Sequence, residues 1–214
     1  MKNKTLLLDI DYTIYDVAKA KLMFEKALSK KLNLKASYLA NLINGSYKDL
    51  KEKVGYYNPS SYVDILAKKL LTSKSKIQQV SWDEEKFVKC IYNETSRFIQ
   101  RIYKKFDILI FSTGDKKFQS KKLKTIKKYL DNKNIYIYKN KATKFKRLIS
   151  KLKNKDIFII DDSPEIINKA KEIDKNIITI LIKRNNYNKN YNYSGNILAD
   201  YRVKNLMSAV KIIE

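Results

Sequence analysis

The chain has 214 residues, of which 44% are hydrophobic, and its 46 basic and 22 acidic residues give a formal net charge of +24. This length predicts one domain plus a small insert. The absence of histidine excludes Ser-His-Asp and Cys-His catalysis and His-ligated zinc. Cys90 is the only cysteine, so no intramolecular disulfide can form, and we expect a cytoplasmic protein.

The overall charge and hydrophobicity indicate which partners to expect. The sequence contains no run of about 18 apolar residues, so it predicts no membrane-spanning helix. Its first residues lack the apolar region of a signal peptide. The positive charge would attract polyanions such as nucleic acid. However, the lysines are spread along the chain and are not gathered in one block. The whole sequence is rich in Lys, Asn, Ile and Tyr, which is the composition that an AT-rich genome would give. We therefore expect no membrane partner, and we favour a compositional origin of the charge over nucleic-acid binding.

The first predicted element is a buried strand, residues 6–8, that leads into two carboxylates, Asp9 and Asp11. Side chains alternate along a strand, so the two carboxylates point the same way at its carboxyl end. Like charges repel, and burying them without a cation is costly. A bound hard cation such as Mg²⁺, which prefers oxygen ligands, would remove the conflict. The alternative is a strand that ends in a solvated acidic turn.

Residues 15–104 are predicted to be helical throughout. Apolar residues at helical spacing predict helices over 17–32, 36–43 and 46–54, the last two separated by a stop at Asn44-Gly45-Ser46. After a break at Gly55, Ser60 or Ser61 is expected to cap a further helix, which is followed by a polar linker at 72–76.

A long helix is predicted next, from Ser81 to about Phe106, because Ser81 and Glu84 have the spacing of a capping box. Cys90 falls inside it and is expected to be a small core residue. Thereafter strands and helices alternate, which predicts a doubly wound parallel sheet. The predicted strands are 107–112, 135–138, 156–160 and 176–182, and the predicted helices are 116–130, 143–152, 164–173 (capped by Ser163) and 205–212. Residues 184–196 are expected to form a surface loop.

The segment Asp9-Ile-Asp11-Tyr-Thr13 resembles the first motif, DxDx[TV], of the haloacid dehalogenase (HAD) superfamily of phosphatases and phosphotransferases. Three further motifs of that superfamily follow in the same order. The second is a hydroxyl at the end of a strand, here Ser112, with Thr113 as the alternative. The third is a lysine that opens a helix, here Lys141, with Lys144 as the alternative.

The fourth motif is an acidic pair after an apolar strand, here Asp161-Asp162, with Glu165 as a candidate outer group. The resemblance covers residues 4–14 and 106–213. It departs from the pattern of many members at Tyr12 and at Asp161, where glycine is common. What it implies is a Rossmann-like core of residues 1–14 and 105–214, with a C1-type helical cap at residues 15–104. The implied strand order, 3-2-1-4-5, would bring the motifs together at the topological switch point of the sheet.

The resemblance implies a Mg²⁺-dependent phosphatase in which Asp9 is the nucleophile and Asp11 is the general acid and base. Asp11 separates this function from the dehalogenases, which lack an acid at that position. Ser112 and Lys141 would hold the transferring phosphoryl group. The phosphate-binding set also includes Thr13, Thr113 and Gly114. Mg²⁺ would be held by Asp9, the backbone carbonyl of Asp11 and Asp162, with Asp161 in support.

The expected substrate is a small phosphorylated metabolite, with a nucleotide as one option. A phosphomutase or phosphotransferase with the same residues is the nearest rival. A rival of another class is a basic nucleic-acid-binding protein on an inactive HAD fold. That reading relies on the net charge and on the loop from Arg184, whose tyrosines could stack on bases. These are Tyr187, Tyr191 and Tyr193.

Overall fold

The computed structural model describes residues 3–80, 84–152 and 156–214. Within these ranges six strands form one parallel sheet in the order β3-β2-β1-β4-β5-β6. The strands are β1 (Lys4–Leu8), β2 (Phe106–Thr113), β3 (Ile135–Tyr138), β4 (Asp156–Asp161), β5 (Ile178–Ile182) and β6 (Tyr201–Val203). β1 lies in the middle because Leu6, Leu7 and Leu8 are apolar on both faces and fully buried.

The predicted fold class and strand order are confirmed, and β6 extends the sheet beyond β5. The sequence did not predict β6, because it has three residues and two of them are exposed. Leu8 pairs with Ile110 of β2 and with Ile160 of β4. The residues that follow these three strands therefore meet at one edge of the sheet, where the predicted motifs lie.

Six helices lie between β1 and β2 in the described ranges, so the helical insert occurs where the sequence predicted it. They are α1 (Val17–Leu32), α2 (Ala36–Val54), α3 (Pro59–Lys69), α4 (Lys74–Gln78), α5 (Glu84–Lys89) and α6 (Thr95–Ile102). The remaining helices alternate with the later strands. They are α7 (Lys116–Lys121), α8 (Phe145–Ser150), α9 (Pro164–Ile173) and α10 (Leu206–Ile213).

The two helices predicted on either side of Asn44-Gly45-Ser46 are one continuous helix, α2. The prediction was wrong because a single stripe of buried residues continues across the glycine. Its members, at helical spacing, are Leu39, Ile43, Ser46 and Leu50. Packing of this stripe outweighs the roughly 1 kcal/mol by which glycine weakens a helix. The predicted break at Gly55 is confirmed, since Gly55 ends α2 in the left-handed conformation.

The predicted long helix to Phe106 is also wrong, because the described part of that stretch contains two short helices, α5 and α6. The segment between them is tied to the chain that follows β1. The backbone N–H of Tyr92 donates to the carbonyl of Ile14 at 3.0 Å, and the carbonyl of Cys90 accepts from Asp16 at 2.8 Å. Cys90 is buried, as expected, and Ser81 of the predicted capping box lies outside the described residues.

Smaller differences concern helix ends. Asn58 rather than Ser60 or Ser61 caps α3, with Pro59 in its first turn. The expected linker at 72–76 contains the start of α4, which Ser73 caps. The α-helix predicted over 116–130 ends at Lys121 and continues as turns, and the one predicted over 143–152 begins as a short 3-10 turn.

Three hydrophobic clusters hold these elements together. Two lie on opposite faces of the sheet, with Leu6 and Leu8 in one and Leu7 in the other. The third joins α1 to α4 through residues such as Phe24, Leu39 and Leu66. α6 packs with the first sheet cluster. Across the described residues, the helices are all too short or too polar to span a membrane.

Candidate active site

A buried lysine joins two buried aspartates at the carboxyl edge of the sheet. Asp9 follows β1, Asp161 ends β4, and Lys141 precedes the short turn that leads into α8. The ammonium group of Lys141 donates to Oδ1 of Asp9 and to Oδ2 of Asp161, both at 2.5 Å. All three side chains are at most 7% exposed. The alternative lysine, Lys144, is exposed, so the structure brings Lys141 rather than Lys144 to the predicted acids.

Asp162 completes an acidic cluster with Asp9 and Asp161. One carboxylate oxygen from each of these three residues lies within 4.8 Å of the others. Oδ2 of Asp162 is buried and has no hydrogen-bond partner in the described part of the chain. A buried carboxylate oxygen without a donor is unfavourable unless a cation satisfies it. The donor set, which consists of oxygens, suits Mg²⁺, so these residues fit the predicted metal.

The two oxygens of Asp161 are already engaged. Oδ2 accepts from Lys141, and Oδ1 accepts from the backbone N–H of Ser163 at 2.9 Å. Asp161 therefore orients Lys141, and Asp162 keeps the oxygen that is free for a cation. Ser163 caps α9 as predicted. Glu165 is exposed in the first turn of α9.

Burial and mutual repulsion set the protonation of the cluster. Burial raises the pKa of Asp9 to about 7, although Lys141 opposes this rise. Burial also raises the pKa of Asp162 well above its ordinary value, and the neighbouring carboxylates of Asp9 and Asp161 add to the effect. Burial alone would lower the pKa of Lys141, but Asp161 and Asp9 outweigh it and the pKa rises overall. Lys141 therefore stays a cation, and the cluster favours binding of positive charge.

Asp11 lies apart from this cluster and is held by two donors that the sequence did not single out as site residues. Lys122 donates to Oδ1 of Asp11 at 2.5 Å, and Gln119 donates to Oδ2 at 2.8 Å. The Asp11 side chain is 34% exposed, in contrast to the buried Asp9. Tyr12, the next residue, has a positive φ of 56°, a conformation that glycine adopts without strain, and glycine is common at this position of the motif that residues 9–13 resemble.

The second predicted motif lies at the end of β2. Ser112 is buried opposite Ile137 of β3. The hydroxyl of Thr113 accepts from the backbone N–H of Lys141 at 3.3 Å, which leaves the proton of that hydroxyl available to donate. The N–H of Gly114 donates to the carbonyl of Tyr138 at 2.8 Å. Ser112 and Thr113 therefore both remain candidates to donate a hydroxyl to a ligand.

Thr13 is fully buried, and its hydroxyl has no hydrogen-bond partner within the described ranges. Its carbonyl accepts from Arg184 at 2.5 Å, and Arg184 also pairs with Glu94. Arg184 is only 6% exposed. Arg184 therefore fixes the loop that carries Asp11 and does not belong to a basic surface.

The loop at 184–196 lies against the acidic cluster, which the sequence did not predict. The hydroxyl of Tyr193 donates to the carbonyl of Asp162 at 2.9 Å. The tyrosine rings pack on one another, with centroids 5.4 Å apart for Tyr187 and Tyr193. The ammonium group of Lys183 covers both of these rings, at 4.5 and 4.9 Å. The only feature of the sequence that could have indicated this contact is the high density of tyrosine after β5.

No protein-family model matches the chain, and no curated protein matches its sequence. Solved structures do match. A candidate haloacid dehalogenase-like hydrolase from Burkholderia xenovorans is similar with a TM-score of 0.77 and 14% identity over 99% of each chain. A candidate HAD hydrolase from Bacillus subtilis, solved bound to magnesium, has a TM-score of 0.68 and 18% identity over 100% of each chain. A HAD phosphatase from Thermococcus onnurineus has a TM-score of 0.59 and 19% identity over 98% of this chain and 97% of its own.

L-2-haloacid dehalogenases are also among the similar structures. At these identities the likeness establishes a shared fold, including the helical segment inserted after the first strand. Because that fold carries both phosphate and halide chemistry, the residues of the site have to decide between them.

Proposed function

We propose that this chain, which has the fold of the haloacid dehalogenase superfamily, is a Mg²⁺-dependent phosphatase that hydrolyses a phosphate monoester. The observation that carries the proposal is the buried oxygen of Asp162, which has no donor among the described residues and lies beside Asp9 and Asp161. A site that bound only a halogenated acid would have no use for a third buried carboxylate. A site that holds a dication and a phosphate does.

Asp9 is the proposed nucleophile. Its carboxylate attacks phosphorus, the bond from phosphorus to the leaving oxygen breaks, and an aspartyl phosphate forms. Lys141, 2.5 Å from Asp9, partly neutralises the nucleophile and the incoming phosphate. Mg²⁺, held by Asp9, Asp162 and the carbonyl of Asp11, would offset the remaining repulsion between carboxylate and phosphate.

Asp11 is the proposed general acid and base. In the first step Asp11, protonated in the substrate complex, donates its proton to the leaving oxygen and becomes the carboxylate that Lys122 and Gln119 hold. In the second step it takes a proton from the water that attacks phosphorus, after which the bond to Asp9 breaks and phosphate leaves. A halide leaving group would need no proton, so an acid held by Lys122 and Gln119 favours phosphate chemistry over dehalogenation. Ser112 is proposed to hold a phosphoryl oxygen.

We propose that residues 15–104 act as a cap domain on a core of residues 1–14 and 105–214. Asp9, Asp161 and Asp162 are buried, so we expect the cap to move when a substrate enters. The substrate is proposed to be a small phosphorylated metabolite, with nucleotides included. Nucleic acid is less favoured because the rings of Tyr187 and Tyr193 are half-buried and already pack on each other and on Lys183.

The test is phosphate release from p-nitrophenyl phosphate with Mg²⁺ and with EDTA, for the wild type and for Asp9→Asn. Asp156→Asn is the matched control, because Asp156 is exposed at the opposite end of β4. We expect turnover that needs Mg²⁺, that is lost in D9N and that survives in D156N. Adding sugar or alcohol acceptors separates a phosphatase from a phosphotransferase. Failure of the folded wild type to turn over, or to form a Mg²⁺-dependent complex with BeF₃⁻, would overturn the proposal.

A further inference from the structure

The interaction between Lys122 and Asp11 joins a buried cation to an accessible carboxylate. Lys122 follows α7, and its side chain is 4% exposed, whereas the Asp11 side chain is 34% exposed. The ammonium group lies 4.6 Å from the centre of the Tyr15 ring and 4.9 Å from that of Phe118. These rings enclose the lysine and direct it to Asp11.

An ion pair that served stability alone would be arranged differently. Lysine is rarely buried, because removing its charge from water is costly. A carboxylate that is one-third exposed does not need a buried partner, since water already solvates it. The free energy needed to remove the Lys122 charge from water is therefore larger than the stability gained by neutralising Asp11. What the arrangement does provide is a fixed place for the Asp11 carboxylate.

Gln119 restrains the second oxygen of Asp11. Its amide nitrogen donates to Oδ2 of Asp11 and to the carbonyl of Thr113, both at 2.8 Å. With Lys122 on Oδ1, each carboxylate oxygen has its own donor, which restricts rotation of the side chain. A Cβ at Gly114 would lie 2.9 Å from the Gln119 amide nitrogen, so glycine is what allows Gln119 to approach. The restraint on Asp11 thus extends to the end of β2.

We propose that Lys122 and Gln119 are positioning residues that hold the Asp11 carboxylate at the distance and orientation needed for both of its proton transfers. The inference rests on the proposed phosphatase function. It predicts a defect limited to the steps that need a proton. Attack of Asp9 on a phosphate with a good leaving group, such as nitrophenolate, needs no proton from Asp11. Release of an alcohol does, and so does attack of water on the aspartyl phosphate.

The test compares p-nitrophenyl phosphate with benzyl phosphate, which has a similar shape but a poor leaving group. In Lys122→Met we expect kcat for benzyl phosphate to fall about 100-fold, while nitrophenolate release in the first turnover falls less than about 5-fold. Hydrolysis of the aspartyl phosphate then becomes limiting, so K122M shows a burst of about one nitrophenolate per enzyme. Lys121→Met, at the exposed neighbouring lysine, behaves as the wild type.

Lys122→Arg keeps a cation and is expected to recover much of the benzyl phosphate activity. If K122M does not fold, Gln119→Met carries the same comparison with a smaller expected effect. An equal slowing of both first turnovers, which a general structural defect would cause, overturns the positioning role while the phosphatase function stands. Absence of turnover in the wild type overturns both.

Discussion

The hydroxyl of Tyr193 donates a hydrogen bond to the backbone carbonyl of Asp162 at 2.9 Å, which joins the 184–196 loop to the candidate metal ligand. Tyr193→Phe removes this bond and keeps the ring that packs against Tyr187. We expect Y193F to bind Mg²⁺ several-fold more weakly, because the loss of one neutral hydrogen bond is worth about 1 kcal/mol. The measurement is the Mg²⁺ concentration at half-maximal thermal stabilisation. Tyr187→Phe is the control, and equal Mg²⁺ affinities in the two variants would show that the bond does not support Asp162.

Lys141 and Lys144 offer a direct test of which lysine belongs to the site. Lys141→Met leaves Asp9 and Asp161 buried without their shared cation, whereas Lys144→Met changes an exposed residue. Removing one partner of a buried ion pair costs about 3–5 kcal/mol, so K141M should lose about this much unfolding free energy at neutral pH, together with phosphatase activity. K144M should lose neither. Urea denaturation and phosphate release measure the two effects, and similar behaviour of the two variants would contradict the assignment.

The pH dependence of stability follows from the raised pKa values of Asp9 and Asp162. In the unfolded chain an aspartate has a pKa of about 4. Between the pKa of the unfolded chain and the raised pKa of the folded protein, only the folded protein keeps these protons. The stability that they contribute is therefore complete below about pH 4 and is lost as the pH rises through the folded pKa. In EDTA the unfolding free energy of the wild type should fall over this range, by up to about 1.4 kcal/mol per pH unit for each carboxylate.

Asp162→Asn removes one of these carboxylates, so in EDTA its unfolding free energy should increase relative to the wild type as pH rises from 5 to 8. Mg²⁺ reverses the comparison, because it stabilises the wild type and not the variant. Urea denaturation at several pH values measures both effects. Asp156→Asn, at the far end of β4, should follow the wild type in both conditions. Parallel curves for D162N and the wild type would show that Asp162 ionises without penalty.

The sequence predicted the parts of the site that follow directly from local pattern. Asp9 and Asp161 stand out because each ends a run of buried apolar residues, and a parallel sheet brings such ends together. Lys141 could be ranked above Lys144 by its spacing to Phe145, and the structure places it between the two acids. Strand periodicity is visible in the sequence, whereas the strand order that brings these positions together was implied by the family resemblance.

The support of the site could not be predicted in the same way. Lys122 is one of 46 basic residues, and its burial depends on the rings of Tyr15 and Phe118. Its partner, Asp11, is 111 residues away in the chain. Tyr193 is likewise 31 residues from Asp162. Contacts between distant residues also explain the two wrong helix predictions. In α2, packing of the buried stripe outweighed the helix-stop pattern around Gly45. Before α6, hydrogen bonds between residues 90–92 and the chain after β1 interrupted the predicted long helix.

Gly114 lies in close contact with the side chain of Gln119, which donates a hydrogen bond to Asp11. Its φ is +144°, and an added Cβ would lie 2.9 Å from the amide nitrogen and 3.0 Å from Cγ of Gln119. Gly55, with φ +81°, has no described atom within 4 Å of the added Cβ. Both substitutions to alanine carry backbone strain of about 1–3 kcal/mol, but only Gly114→Ala also displaces Gln119. We therefore expect G114A to lose more unfolding free energy than G55A in urea denaturation and, unlike G55A, to lower turnover of benzyl phosphate.

The double variant Gly114→Ala, Gln119→Ala separates the two contributions. Removing the Gln119 side chain relieves the contact but not the strain at residue 114, so the double variant should be destabilised by less than the sum of the single variants. Its turnover of benzyl phosphate should equal that of Gln119→Ala alone, because the donor to Asp11 is already lost. Strictly additive losses of stability would show that Gly114 is required by its backbone conformation and not by the approach of Gln119.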